Sequence, residues 1–228
     1  MQVNTSCTQQ LRACGIQTQH EMDTKVLIKT DESHLTVHNH AIHKELIDGC
    51  IADTAGKLAE KPPIMVYGKM CRQQRNVGFF SDESSGYNYS SQKMPSQPLT
   101  PAMAALLKKV NEQLGATYNG MLVNEYLNGD DKIGAHSDDE RDLDPAVGVA
   151  ALSVGGGRIF RIRRKQVGAH SGFEGGKKFF DHVTGNYELM VMGGKFQKEF
   201  THEIPEQKKV RDKRLSITFR KHAIDKKH

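Results

Sequence analysis

No stretch of this 228-residue sequence is apolar for long enough to span a bilayer as a helix, so membrane insertion is not expected. The segment Met1 to Gly15 is polar and lacks the apolar core of a secretory signal, which predicts an intracellular protein, nuclear or cytoplasmic. Cysteine is scarce. Cys7, Cys14, Cys50 and Cys71 show no Cys-x-x-Cys spacing, and reduced thiols are expected rather than a disulfide framework. There is no internal repeat, and the length suits one domain with a substantial core. Charge of one sign does not dominate: the net value of +5 permits a polyanionic partner without demanding one. The basic residues are nevertheless uneven. One cluster holds Arg158, Arg161, Arg163, Arg164 and Lys165, and a second holds Lys208, Lys209, Arg211, Lys213 and Arg214.

Residues 1–24 have little hydrophobic pattern and read as a flexible tail, leaving 25–228 as a single domain. Short strands are expected over 25–28, 33–37 and 64–67, with a helix over 42–58 carrying Leu46, Ile47, Ile51 and Leu58 on one stripe. The stretch from Cys71 to Pro98 is polar and shows no clear period, as expected of a segment covering a functional surface. Thr100 followed by Pro101 is a helix start, and Gly115 a stop. Beyond it, β-type segments at about 118–127, 132–136, 148–154, 158–164, 177–183, 187–192, 198–204 and 213–220 follow closely without long helices between them. That texture predicts an α+β chain, a helical N-terminal part packed on a C-terminal sandwich or small barrel.

Three patterns carry chemistry. In His136-Ser137-Asp138, alternation on a strand puts the imidazole and the carboxylate on one side, where together they can bind a divalent metal. His202, at the end of an apolar strand, is the best third ligand; two His and one carboxylate leave open positions suited to non-haem Fe(II) and oxygen. The second pattern is the last strand. Leu215, Ile217 and Phe219 share one face, while Arg214, Ser216, Thr218 and Arg220 share the other. Two guanidiniums bracketing two hydroxyls suit a dicarboxylate. The third is Asn124 and Tyr126, which share a face just before the His-x-Asp and offer donors to a small acid.

In order and spacing, Asn124-x-Tyr126, His136-x-Asp138, His202 and Arg214-x-Ser216-x-Thr218-Phe219-Arg220 resemble the AlkB family of nucleic-acid dealkylases, most closely its animal-type DNA and RNA repair homologues. The resemblance covers about residues 64–222. It implies a double-stranded β-helix, a jelly-roll variant at about 118–222, preceded by N-terminal helices and a nucleotide-recognition lid at about 64–98. It also implies Fe(II), 2-oxoglutarate and molecular oxygen as cofactor and co-substrates. His136, Asp138 and His202 would be the iron ligands, with Asn124, Tyr126, Arg214, Ser216 and Arg220 around 2-oxoglutarate. Ser216 departs from the family, which often has Asn there. The implied reaction removes methyl groups from 1-methyladenine and 3-methylcytosine as formaldehyde, with 2-oxoglutarate converted to succinate and carbon dioxide. The partner would be alkylated DNA, RNA being left open, and the enzyme a monomer.

Asp139 and Glu140 would favour such cationic bases by charge. The reacting methyl lies on the pairing edge, so the base must be flipped out or unpaired. Tyr67 would then act as a wedge in the vacated stack, and Tyr87 and Tyr89 belong to the segment that resembles the base-stacking lid. In this setting both basic clusters read as phosphate contacts. His34, His38, His40 and His43 lack a completing acid or cysteine and read as surface strand and helix start, and Gly155-Gly156-Gly157 as a turn. Three rivals stay open at this point: an oxygenase acting on protein or a small molecule, an inert nucleic-acid binder on the same fold, and a zinc hydrolase.

Overall fold

The computed structural model describes residues 23–66, 68–89, 92–165 and 173–223. Its core is two facing sheets. The major one has seven strands: β1 (Asp23–Lys29), β2 (Ser33–Asn39), β5 (Asn76–Phe80), β8 (Gly120–Tyr126), β10 (Val149–Gly155), β13 (Glu188–Gly194) and β15 (Arg214–Arg220), in the order β1-β2-β13-β10-β15-β8-β5. The minor one has four, β9 (Ile133–His136), β11 (Ile159–Arg164), β12 (Phe180–Val183) and β14 (Phe200–Ile204), in the order β12-β11-β14-β9. Two hairpins stand apart, β3 (Pro63–Val66) with β4 (Lys69–Arg72), and β6 (Gly86–Tyr89) with β7 (Gln92–Pro95). All pairings between named strands are antiparallel. This is the expected jelly-roll core.

Helix α1 (Lys44–Ala52) and helix α2 (Pro101–Leu114) cover the outer face of the major sheet. In α2, Thr100 Oγ1 accepts the Met103 N–H, Pro101 occupies the first turn, and Gly115 ends the helix at φ +60°. Met103, Leu106, Leu107 and Val110 are spaced so that one stripe is buried, against Val123, Ile217 and Phe219 among others. Each such side chain contributes about 1.5–3 kcal/mol of burial. Helix α1 is shorter than the expected 42–58: it stops at Ala52 and turns carry the chain onward.

The alternation of β15 decides the architecture. Leu215, Ile217 and Phe219 join the core beneath the helices, whereas Arg214, Ser216, Thr218 and Arg220 face the space between the sheets. Every residue of this strand is buried. A second core fills that space at one end with Val149, Met190, Met192, Phe160, Ile162, Phe200 and Ile204. The turn after β10 requires Gly155, at φ +94°, where a Cβ would lie 2.4 Å from the Lys213 carbonyl oxygen.

Several expectations are corrected. The N-terminal strands expected at 25–28 and 33–37 are present as β1 and β2, and they extend the major sheet beside β13 rather than forming a separate unit with the helices. Within 71–98, β5 pairs along β8 and buries Phe79 and Phe80, so those residues belong to the core, while the β6–β7 hairpin stands outside both sheets. His38 is buried, not a surface group; its ring nitrogens meet the hydroxyls of Thr24 and Thr36, each at 2.9 Å. Among the described residues no helix is long and apolar enough to cross a membrane.

Near the C-terminal end of β15, His222 is 1% exposed, packs at a tilt against Phe79 with 4.8 Å between ring centres, and has no hydrogen-bond partner for either ring nitrogen. Burial, helped by Arg220, pulls its pKa down to about 4. The unfolded chain, titrating near 6.5, therefore binds the proton that the folded chain refuses, and stability falls as pH drops from about 6.5 toward 4. In urea unfolding, His222→Leu is expected to lose less stability than the parent protein between pH 7 and pH 5; equal losses would show that other groups carry the acid sensitivity.

Candidate metal and dicarboxylate site

The site forms where the end of β9 and the middle of β14 meet the inner face of β15 and β8. His202 and His136 are register partners in the minor sheet, and Asp138 follows two residues after His136. Ligand atoms of His136, Asp138 and His202 all lie within 4.8 Å of one another. Each histidine Nε2 is 3.8 Å from an Asp138 oxygen. His136 Nδ1 meets the Gly134 carbonyl oxygen at 2.9 Å, which makes it the protonated nitrogen and leaves Nε2 as the metal donor. His202 stacks on Phe160 at 5.1 Å, which fixes its plane.

Electrostatics prepare the cluster for a cation. Burial lowers the pKa of His136, and burial together with His136 lowers that of His202 to about 3, so both rings are neutral at neutral pH. Burial would raise Asp138, but Arg220, His202 and His136 outweigh it and hold the carboxylate at about 2. The donor set is therefore already deprotonated. An exposed histidine pair would lose about tenfold in metal affinity between pH 8 and pH 6, as each ring begins to protonate. Here the Mn(II) dissociation constant, measured by calorimetry, is expected to change by less than about threefold over that range. A tenfold loss would contradict the neutral-ring assignment.

Beyond the cluster, a cavity runs between the sheets. Its walls include Asn124 and Tyr126 from β8, Arg214, Ser216, Thr218 and Arg220 from β15, and Arg75 from the segment before β5. Strand pairing brings Arg214 opposite Tyr126 and Ser216 opposite Asn124, so donors from both strands converge. Arg214 is 1% exposed; its Nε donates to Ser153 Oγ at 2.8 Å, while its Nη1 is buried with no hydrogen-bond partner. Arg220 Nη2 donates to Asp138 at 2.6 Å, and its Nε and Nη1 are likewise unsatisfied. Buried guanidinium donors without acceptors are costly, and a bound dicarboxylate would satisfy them. The residues present thus fit both a divalent metal and a small dicarboxylic acid.

These observations meet what the comparisons find. The family model described as the 2OG-Fe(II) oxygenase superfamily matches residues 35–220. The chain belongs to that superfamily. Within it, the relatives are AlkB proteins. The chain is 30% identical to human "DNA oxidative demethylase ALKBH2" over 170 residues, covering 72% of this chain and 62% of that protein. For the Mus musculus protein of that name the identity is 30%, covering 72% of this chain and 68% of the relative. Human "Alpha-ketoglutarate-dependent dioxygenase alkB homolog 3" is 34% identical over 139 residues, 59% of this chain and 47% of that protein. The chain thus spans less than two thirds of the first of these relatives and about half of the last. The solved structure of OsALKBH1 superposes with a TM-score of 0.52 at 14% identity, over 87% of this chain and all of the other, a likeness of fold. The chain belongs to the AlkB family within that superfamily, and iron, 2-oxoglutarate and oxygen are the groups the family uses.

The remaining expected residues divide. Tyr87 is 4% exposed and packs on Phe79; its hydroxyl donates to Glu140 Oε1 at 2.6 Å, and its ring lies 4.8 Å from the Arg220 guanidinium. Burial raises the pKa of Glu140, Arg220 opposes this, and its Oε2 has no hydrogen-bond partner. Asp139 turns outward, its side chain 57% exposed and 3.4 Å from Lys165. Tyr67 lies outside the described residues, as does the side chain of Tyr89.

The first basic cluster is corrected. Arg158 is fully buried and donates to the carbonyl oxygens of Asn128, Asp131 and Pro205 and to the Gln207 side chain. Arg161 pairs with Asp181 and Arg163 with Glu203, so this cluster works within the protein. In the second, Arg214 lines the cavity and Lys213 pairs with Glu125, while Lys209 and Arg211 are exposed. Sequence reasoning missed Arg75 and the role of Ser153. Only Ser153 left a signal, as a lone hydroxyl in the apolar strand Val149–Gly155.

Proposed function

We propose that this oxygenase removes methyl groups oxidatively from N-alkylated bases, 1-methyladenine and 3-methylcytosine, in DNA and secondarily in RNA. The observation that carries the reading is the contiguity of two sites. A neutral-His, ionised-Asp cluster stands at the end of a cavity walled by Arg214 and Arg220. The names of the relatives, ALKBH2 and alkB homolog 3, supply the substrate class by analogy.

His136, Asp138 and His202 would hold Fe(II), and Arg214 would take the carboxylate of 2-oxoglutarate remote from it, with Asn124, Tyr126 and Ser216 as further donors. When bound, iron with 2-oxoglutarate and oxygen supplies the oxidation of the N-methyl group, yielding succinate, carbon dioxide and formaldehyde. The protein does the rest. Arg220 keeps Asp138 ionised and pointed at the histidines. The apolar wall of Phe160, Met190, Met192 and Ile204 limits water around the co-substrate. Glu140, with a free acceptor oxygen beside Arg220, supplies a polar edge for a base bearing an exocyclic amine. Asp139, turned toward Lys165, contributes less than its sequence neighbour. Tyr67 as a wedge and Tyr89 as a stacking partner remain part of the proposal on sequence grounds.

Mass spectrometry of Fe(II)-loaded protein with 2-oxoglutarate and matched single- and double-stranded oligonucleotides carrying 1-methyladenine, in DNA and RNA forms, tests the reading. Loss of the methyl group dependent on 2-oxoglutarate is expected, largest on DNA. Succinate formation without any demethylation would retain the oxygenase and discard these substrates.

A further inference from the structure

Asn124 faces the cavity, but a carboxamide can turn either end toward a ligand, and only its N–H end would bind a carboxylate. What decides its orientation is Arg75. Arg75 Nε donates to Asn124 Oδ1 at 2.7 Å, in a contact shielded from water and between residues 49 positions apart. Arg75 is 5% exposed and Asn124 7%, so neither side chain swings freely into solvent. With Oδ1 engaged, the Nδ2 amide is the group left for the cavity. Arg75 lies between the β3–β4 hairpin and β5, whose first residue, Asn76, pairs with Glu125 next to Asn124. Backbone pairing thus holds the two partners in register.

We infer that Arg75 is a positioning residue for the co-substrate: by holding the Asn124 carbonyl oxygen, it presents the Asn124 amide N–H to a carboxylate of 2-oxoglutarate. This rests on the proposal above that Asn124 contacts 2-oxoglutarate. The alternative is that the Arg75 charge acts directly, on the dianion in the cavity or on a nucleic-acid phosphate. The two accounts separate cleanly because of bond counting. In glutamine, Nε2 stands at the same position along the chain as arginine Nε, and in methionine the terminal methyl does. Arg75→Gln therefore keeps a neutral donor toward Asn124, whereas Arg75→Met keeps the shape and removes the donor.

The test is anaerobic calorimetry of 2-oxoglutarate binding to Fe(II)-loaded protein, paired with the visible absorption band of the iron–keto-acid chelate. Thermal unfolding serves as the check on folding. Arg75→Met is expected to weaken binding about tenfold, as for loss of one hydrogen bond to a charged group. Arg75→Gln should stay within about threefold of the parent protein. In an Asn124→Ala background, Arg75→Met should cost nothing further, because the residue it positions is gone. Equal losses in the Gln and Met variants, or multiplying losses in the double variant, would overturn the inference in favour of direct charge. Weakened oligonucleotide binding with unchanged 2-oxoglutarate affinity would overturn it in favour of a phosphate contact. If Arg75→Met unfolds, the Gln variant and the Asn124→Ala background still decide. Failure of the parent protein itself to bind 2-oxoglutarate would overturn the functional reading, and this inference with it, whereas a binding parent with the wrong variant pattern removes the inference alone.

Discussion

Asp138→Asn is expected to lose iron and turnover together while keeping the fold. The carboxylate is the one charged ligand of the cluster, held ionised at about 2 by Arg220 and the two histidines. Outer-shell changes around metal sites cost about 10–100-fold, so removing a direct anionic ligand should cost at least about a thousandfold in turnover. The amide matches the carboxylate in shape and can still accept from Arg220, which limits the structural damage. Asp138→Ala should behave worse. It strips Arg220 of its partner in a buried site, and breaking such a pair costs about 3–5 kcal/mol. Iron per chain by elemental analysis, succinate release and urea unfolding separate these effects. Substantial turnover in the Asn variant would refute the ligand assignment.

Arg214→Met should separate function from stability in the opposite direction. The guanidinium is 1% exposed; burial depresses its pKa, opposed by Tyr126, and Nη1 has no acceptor. The free protein carries this charge at a cost, and binding of a dicarboxylate is what would offset it. Removing one partner of a buried charge-assisted contact costs about 2–5 kcal/mol, so the dissociation constant for 2-oxoglutarate should rise about thirtyfold or more. In the absence of 2-oxoglutarate the variant should melt at the same temperature as the parent or higher. Added 2-oxoglutarate should raise the melting temperature of the parent alone. A variant that melts lower and still binds would identify Arg214 as a structural residue.

Much of the site was legible because strand alternation is a local rule. Arg214, Ser216, Thr218 and Arg220 had to share a face, as did Asn124 and Tyr126, and the structure turns both sets into one cavity. The capping hydroxyl at Thr100 and the left-handed Gly115 were equally local. The stretch 71–98 was not legible, since the apolar residues of β5, Val77, Phe79 and Phe80, sit in a polar setting too short to show a period. The basic run at 158–165 misled for another reason. Its partners lie 20 to 49 residues away in Asp181, Glu203 and Gln207, and a run of like charge carries no trace of them.

The sequence by itself determined which residues could be ligands and donors, because residue chemistry and period-2 alternation need no partner. Only the tertiary structure decided which face of β15 meets a ligand and which meets the helices, since both are buried. It decided that Arg158 serves three carbonyl groups inside the fold while Arg214 keeps an unsatisfied donor. It also joined Arg75 to Asn124 across 49 residues. Whether a buried guanidinium is structural or functional depends on the acceptors that the folded chain brings to it, and that is a property of packing rather than of sequence order.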